Sequence, residues 1–586
     1  MKFSPLKQIN KTNVKDLEIA WVYHTGDVSD GKADPVRSAF EATPIVVDGV
    51  MYVTTPFSRV ISLEAETGKQ LWAFDPKLER TRYNLYINRG VALWHKGSDQ
   101  RIFLGTLDGR LFCLDAKNGK PVKDFGAGGF IDLRKGVADK FPGQGYGMTS
   151  PPLIYKDLVI TGALVSDSRP QGPSGDIRAF DVHSGELVWR FHTVPQPGEK
   201  GNETWEEGSW QDRGGTNAWP ALSCDEERGI VYVPTGSPSP DRYGGERKGK
   251  NLFGNSLLAL EAGNGRLLWH FQMVHHDLWD WDLPAQPTLV TVERDGKSIP
   301  AVAQISKMGF LFVFNRVTGE PLFDIEERPV PSSPVPGEEA WPTQPFPLKP
   351  APVARQTFSM EELTDVTPES RAECLKILEA AKIGAFFEPP GLEYTVLFPG
   401  TNGGPNWGGT SFDPASKLMF VNSMDAGQVV KLMEAREGSR VPYAARGIPN
   451  GRFWDSKQYP CQKPPWGTLT AIDLNTGDFR WQVTLGVVDE FIEKGIPPTG
   501  TSNLGGSIVT AGGLVFIAAT NDSRFRAFDK NTGEELWVTR LPASGHSTPM
   551  TFLGPSTGKQ FVVIAAGGGN KYNENYSDAL IAYALP

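Results

Sequence analysis

The chain has 586 residues, 39% hydrophobic and 22% charged, enough to bury a large core and too apolar for wholesale disorder. Its 59 basic and 68 acidic residues leave a net charge of −9, which argues against nucleic acid as a partner. The four isolated cysteines, Cys113, Cys224, Cys374 and Cys461, form no zinc pattern, no c-type haem motif and no dense disulfide scaffold.

Met1-Lys2-Phe3-Ser4-Pro5 leads to a strand at Leu17-Glu18-Ile19-Ala20-Trp21, with no signal peptide readable before it. Nowhere does a run of about 18 apolar residues suggest a membrane-spanning helix. A strand pair at Gly49–Val53 and Val60–Leu63 then runs into Leu63-Glu64-Ala65-Glu66-Thr67-Gly68-Lys69-Gln70-Leu71-Trp72. The phrase returns with turns at Gly185, Gly265, Gly477 and Gly533, each followed by Trp189, Trp269, Trp481 or Trp537. Weaker copies turn at Gly119 and at Gly319, the latter ending in Phe323. Each copy reads as a β-hairpin whose glycine takes the positive-φ turn position and whose tryptophan fills the gap to a neighbouring sheet.

The turn glycines fall 51, 66, 80, 54, 158 and 56 residues apart, so an eighth copy is expected inside the 158-residue gap. An all-β, eight-bladed β-propeller with Trp-containing repeats buries such sheets without long free edges, and a β-sandwich array is the alternative. A single propeller domain over 1–586 is expected, interrupted at 325–395. There the Pro-rich segment 328–352 reads as a surface excursion without a strand ladder, and Ala372–Ala381 reads as a short helix. This excursion either walls a pocket or decorates the surface.

Some segments carry polar residues that a blade does not need. His275-His276-Asp277-Leu278-Trp279-Asp280-Trp281-Asp282 packs five ligating or ionisable side chains into eight residues, costly to bury unless paired or metal-bound. A solvated loop is the other reading, which the two tryptophans disfavour. Further such stretches are Asn88-Arg89-Gly90, Met148-Thr149-Ser150, Gly214–Trp219, Lys307 and Gly403–Gly409.

Together these segments resemble the pyrroloquinoline quinone (PQQ) dehydrogenases, eight-bladed quinoproteins, along essentially the whole chain. Val274–Asp280 followed by Pro284-Ala285-Gln286-Pro287, with Asn503–Gly506 and Thr510–Leu514, is similar to the membrane glucose dehydrogenase branch. Methanol- and ethanol-type relatives carry an adjacent Cys-Cys pair where this chain has Tyr83 and Asn84. The resemblance implies PQQ-dependent oxidation of an alcohol or sugar hydroxyl, with a polyol, a quinate-like acid or a secondary alcohol as alternatives. A non-enzymatic propeller scaffold is the competing class.

By the same resemblance Trp219 stacks under the quinone, and Glu41, Arg89, Thr149, Asn406 and Trp407 complete the cofactor site. Asp280 is implied as the base that takes the hydroxyl proton and as a metal contact. Lys307, 27 residues later, is implied as the cation at the quinone oxygens. The metal is implied to be Ca²⁺ or another hard cation, such as Mg²⁺ or a lanthanide, held by Asp167 and Asp280 with Asp282 close by or ligating. The family's ligand asparagine falls here on Ser237. If the segment is extended, Asp280 and Asp282 point to the same side. Lacking a haem motif, the chain is expected to pass electrons to a separate acceptor, a quinone or a cytochrome, and the resemblance implies a periplasmic or otherwise exported protein.

Overall fold

The computed structural model describes residues 2–80, 83–294, 296–570 and 572–586; Met1, on which the reading of the amino terminus begins, lies outside them. Eight meander sheets follow one another among the described residues. The first is Ile45–Val47, Val50–Thr54, Val60–Glu64 and Gln70–Phe74. The next four run from Ala92–Lys96 to Phe130–Asp132, from Leu153–Tyr155 to Leu187–Phe191, from Ser223–Asp225 to Leu267–Gln272, and from Thr288–Arg294 to Leu311–Asn315. The sixth spans Thr410–Asp413 to Asp478–Thr484, and the seventh spans Ser507–Thr510 to Glu535–Arg540.

The eighth sheet joins the two ends of the chain. Met550–Leu553, Gln560–Gly568 and Tyr576–Ala584 are completed by Glu18–His24, which pairs antiparallel from Glu18↔Ala584 to His24↔Ala579. The eighth copy therefore does not lie in the 158-residue gap. Its outer strand is encoded more than 500 residues before its other three, so no contiguous hairpin phrase marks it.

One contact recurs between consecutive sheets. Trp21, Trp72, Trp189, Trp269 and Trp481 lie on the turn glycines Gly68, Gly119, Gly265, Gly319 and Gly533 of the sheet that follows. Each indole Nε1 donates to the carbonyl three residues before that glycine, at Ala65, Ala116, Ala262, Arg316 and Lys530, over 3.0–3.2 Å. The glycine is required twice over. At Gly265 φ is +74°, and a Cβ there would stand 2.5 Å from the Trp189 ring. Phe323 serves Gly477 in the same way. Trp21 belongs to the eighth sheet and Gly68 to the first, so the last sheet docks on the first by this contact, whereas Gly185 of the third sheet meets Ile131 and Phe125 instead.

The long gap holds other structure. Ile325–Pro329 pairs with Thr343–Pro347 as an antiparallel ribbon, where an excursion without strands was expected. A two-stranded ribbon has two open edges, so prolines can turn their missing N–H outward. The helix runs Pro368–Glu379, with Thr367 Oγ1 accepting from Ser370 N at 3.1 Å. A further sheet of Lys382–Ile383, Thr395–Leu397, Gln428–Glu434 and Tyr443–Arg452 takes its strands from either side of Thr410–Met424. Cys374 on the helix is bonded to Cys461, a link that isolated cysteines did not reveal.

Candidate active site

The polar run after Gln272 is buried, not solvated: His275, His276, Asp277, Trp279 and Trp281 are all below a tenth exposed. Asp277 organises it. Its carboxylate accepts from Trp279 N, Trp281 N and Asn255 Nδ2, each at 2.9 Å, and from Ser237 Oγ. The 325–395 excursion packs on the same loop. Phe386 stacks on Trp281, Phe387 meets it edge-on, and Trp279 Nε1 donates to Glu388 O at 2.8 Å.

The segment is not extended, because Asp280 has φ +62°. Asp280 and Asp282 meet nonetheless, through Lys307, which sits in the turn between two strands of the fifth sheet. Lys307 Nζ donates to Asp280 Oδ1 at 2.9 Å, to Asp280 O at 2.7 Å and to Asp282 Oδ2 at 3.2 Å. Gly403 presses on the lysine stem, where a Cβ would lie 2.6 Å from Lys307 Cβ, and Gly404 N donates to Lys307 O at 2.8 Å. The Gly-rich segment 403–409 is thus the support of this cation. Asp282 is fully engaged: Oδ1 accepts from Ser237 N at 2.7 Å and Ser237 Oγ at 3.0 Å, and Oδ2 accepts from Trp219 Nε1 at 3.1 Å as well as from Lys307.

The charges follow the geometry. Burial works against Lys307, yet Asp280 and Asp282 outweigh it and hold the ammonium well above the usual lysine range. Burial raises the Asp280 carboxyl, and Lys307 only partly offsets this. At Asp282 burial also acts upward, but Lys307 and Ser237 win and hold the carboxyl below its ordinary value.

The remaining expected residues gather beside this group. Arg89 donates from Nε to Glu41 Oε2 and from Nη1 to Thr149 Oγ1, both at 3.0 Å. Its guanidinium lies 5.4 Å from the Trp219 ring and 4.9 Å from the Trp407 ring. Asn406 shapes the Trp407 turn, its Oδ1 accepting from Trp407 N at 2.7 Å. Two indole faces flanking a buried cation, with the Trp407 Nε1 donor buried and without a partner, fit a flat polyanionic cofactor.

The expected metal set is only partly assembled. Among the described residues no three His, Cys, Asp or Glu side chains stand close enough to hold a metal together, so Asp167, Asp280 and Asp282 are not a preformed cage. Lys307 takes the position between Asp280 and Asp282 and offsets part of the repulsion between the two carboxylates. The oxygen-only chemistry does fit a hard cation. Sequence reasoning missed Asp241, whose backbone N donates to Asp167 O at 3.0 Å. Burial, reinforced by the charges of Asp280, Asp167 and Asp282, holds its carboxyl well above the ordinary range. It also missed Arg242, whose Nη2 is 3.9 Å from Asp280 Oδ2, and the scaffolding pair Asn255 and Asp277. Asp277 stood inside the polar run and could have been found by its neighbours; Asp241 and Arg242 sit in a loop with no pattern.

A family described as "PQQ: Glucose/ethanol/alcohol dehydrogenase, beta-propeller domain" matches residues 1–562. The chain is 35% identical to the quinate/shikimate dehydrogenase (quinone) of Acinetobacter baylyi and 36% identical to the quinoprotein glucose dehydrogenase of Escherichia coli. Each match covers 100% of this chain and 77% of the relative. The solved quinohemoprotein alcohol dehydrogenase of Pseudomonas putida HK5 aligns with a TM-score of 0.74 at 26% identity, covering 100% of this chain and 78% of that one.

Proposed function

The chain belongs to the PQQ-dependent glucose, ethanol and alcohol dehydrogenase family, and from that premise we propose how its own residues divide the work. It is a β-propeller oxidoreductase acting on CH–OH donors with PQQ and a metal cation, which removes the scaffold reading. Bound PQQ supplies the hydride acceptor that no side chain can replace. Trp219 and Trp407 would flank it and Arg89 would meet its anionic groups, with Glu41 and Thr149 fixing the guanidinium and Asn406 shaping the Trp407 turn. Asp280 takes the hydroxyl proton, a task suited to a carboxylate whose basicity burial has raised. Lys307 holds Asp280 in place and keeps a fixed positive charge where negative charge builds up.

A hard cation would add Lewis-acid polarisation beside Asp280; of the other expected carboxylates, Asp282 serves as the anchor of Lys307 and Trp219, and Asp167 closes no cage with them. Ca²⁺, Mg²⁺ and a lanthanide all suit such oxygen donors. The substrate is a small alcohol, sugar, polyol or cyclic hydroxy acid, since the relatives named above are a quinate/shikimate and a glucose dehydrogenase. The eight meanders support one eight-bladed unit with 325–395 as an excursion on it. As electron acceptor we propose a separate quinone or cytochrome, a reading supported by the likeness to the quinate/shikimate dehydrogenase (quinone). The Cys374–Cys461 bond supports an exported, oxidising location. Among the described residues no helix is long and apolar enough to cross a membrane.

The observation that carries this reading is the buried Lys307 joined to both Asp280 and Asp282, with Asp282 joined in turn to Trp219. Loading the protein with PQQ and Ca²⁺, Mg²⁺ or La³⁺ and following an artificial dye acceptor over an alcohol and sugar panel tests it. Asp280→Asn should lose about 10²–10⁴ in kcat while still binding PQQ, seen as quenching of tryptophan fluorescence. A loaded Asp280→Asn enzyme turning over at the wild-type rate would remove Asp280 as the base.

A further inference from the structure

The loop that carries Asp280 has no strand pairing of its own to rest on. It leaves the fourth sheet at Gln272 and rejoins a strand only at Thr288. Its backbone is left-handed at His276, φ +46°, and again at Asp280. Such a backbone keeps one shape only where its surroundings over-determine it. Asp277 fastens the half nearer Asp280. The other half is fastened from outside the eight sheets, by the ribbon of Ile325–Pro329 and Thr343–Pro347.

Gln344, in the second strand of that ribbon, is fully buried. Its Oε1 accepts from His275 N at 2.8 Å, and its Nε2 donates to His275 O at 2.7 Å. One side chain thus serves both backbone groups of one residue, as a neighbouring strand would, because an amide carries its acceptor and its donor side by side. The same ribbon reaches the His275 ring: Nε2 lies 3.0 Å from Glu327 Oε1, and Nδ1 lies 2.8 Å from Gln272 Oε1. Two residues along the strand from Gln344, Phe346 meets Phe310 edge-on with ring centres 5.6 Å apart. It meets Phe387 in the same manner at 5.5 Å, and Phe387 packs on Trp281. Phe310 belongs to the turn that presents Lys307. The ribbon therefore touches both segments that bring Asp280 and Lys307 together.

We propose that Gln344 is a positioning residue for the oxidation: it fixes the His275 backbone and, through it, the stance of Asp280 towards the substrate hydroxyl. Phe346 keeps the same strand in register with the Lys307 turn. A shift of about 1 Å at a reacting group costs on the order of 10²-fold in rate, so the brace matters to turnover even though it touches neither substrate nor cofactor. This rests on the oxidation reading, and it gives the ribbon a task in the reaction.

Two substitutions test it. Gln344→Leu removes both hydrogen bonds at similar volume. In the PQQ- and Ca²⁺-loaded enzyme its kcat should fall at least about tenfold. KM, and the PQQ affinity read from tryptophan quenching, should stay near wild type. Amide hydrogen exchange of the full chain should accelerate at least about tenfold over residues 273–282 and stay unchanged over Ser256–Glu261. Gln344→Glu keeps the acceptor but loses the donor while its carboxyl is ionised. Once protonated, that group can again accept from His275 N and donate to His275 O. Around it stand the Glu327 carboxylate, His275, and the cations Lys250 and Arg328. Full burial favours the neutral acid. The Gln344→Glu kcat, divided by the wild-type kcat at each pH, should therefore climb as pH falls from about 8 to about 5.5. A mere loss of packing would not recover with protons. A Gln344→Leu enzyme with wild-type kcat, or with unchanged exchange over 273–282, overturns the inference, as does a Gln344→Glu ratio that stays low at every pH. If the wild type oxidises no alcohol, the oxidation reading fails instead, and exchange alone then decides whether Gln344 braces the loop.

Discussion

Asp277, Asp280 and Asp282 are one residue type within six positions, and their surroundings give them three tasks. The Asp277 carboxylate accepts from four donors and Arg247 Nη2 donates to its backbone oxygen, so it fastens the loop. Asp282 binds Ser237, Trp219 and Lys307 and so sets the stacking indole against the lysine. Asp280 Oδ1 is held by Lys307, while its Oδ2 lies 3.9 Å from Arg242 Nη2, beyond hydrogen-bond reach. The carboxamide of Asp277→Asn would set an N–H₂ against donors that need an acceptor. Its cost should be about 2–4 kcal/mol, because the orphaned partners are buried. In urea unfolding Asp277→Asn should lower the midpoint clearly more than Asp280→Asn does; equal losses would mean that Asp277 does not hold the loop. This part of the site was legible in the sequence because five polar side chains beside two tryptophans violate what a strand or solvated loop needs. The division of labour was not, since it depends on Ser237, Asn255 and Lys307 approaching from other elements. The condition of an extended segment is not met at Asp280, whose φ is +62°, and it is Lys307 that brings Asp280 and Asp282 together.

At the level of the element, the glycine turn and the tryptophan of the preceding sheet form one joint. The indole lies where a Cβ would be and donates to a carbonyl three residues away, so shape and hydrogen bonding select the same residue pair. Gly265→Ala would force a left-handed backbone on an L side chain and drive its methyl into Trp189. A loss of about 2–4 kcal/mol follows from strain plus overpacking. Trp189→Phe keeps most of the stacking and loses one hydrogen bond, about 1 kcal/mol. Comparing the two variants by urea unfolding checks the joint: a Gly265→Ala protein as stable as wild type would show that the contact is incidental. These joints explain why the fold could be read from the chain, since each repeats a short phrase with a physical reason. The eighth sheet escaped because its Trp21 has no hairpin beside it in sequence. The Pro-rich ribbon escaped because proline forbids only the inward N–H, not every strand.

In the whole molecule, the ring of joints and the inserted segment are stabilised by different means. The ring closes through Glu18–His24 and rests on packed indoles. In the insertion Cys374–Cys461 spans 87 residues around the strands Thr395–Leu397, Gln428–Glu434 and Tyr443–Arg452. In the chain-entropy account a closed loop of that length contributes at most about 4–5 kcal/mol, drawn from the unfolded state. That stability should fall mainly on the insertion, because the bond ties the helix Pro368–Glu379 to the chain just beyond Arg452. Limited proteolysis with and without reductant separates the two regions. Reduced wild type and Cys374→Ser should both be cut first between residues 368 and 461, while the indole-docked sheets persist as a large fragment. Cys374→Ser itself should not respond to reductant. If reduction leaves the wild-type cleavage pattern unchanged, the bond does not hold the insertion, and the oxidising location it supports loses its physical reason.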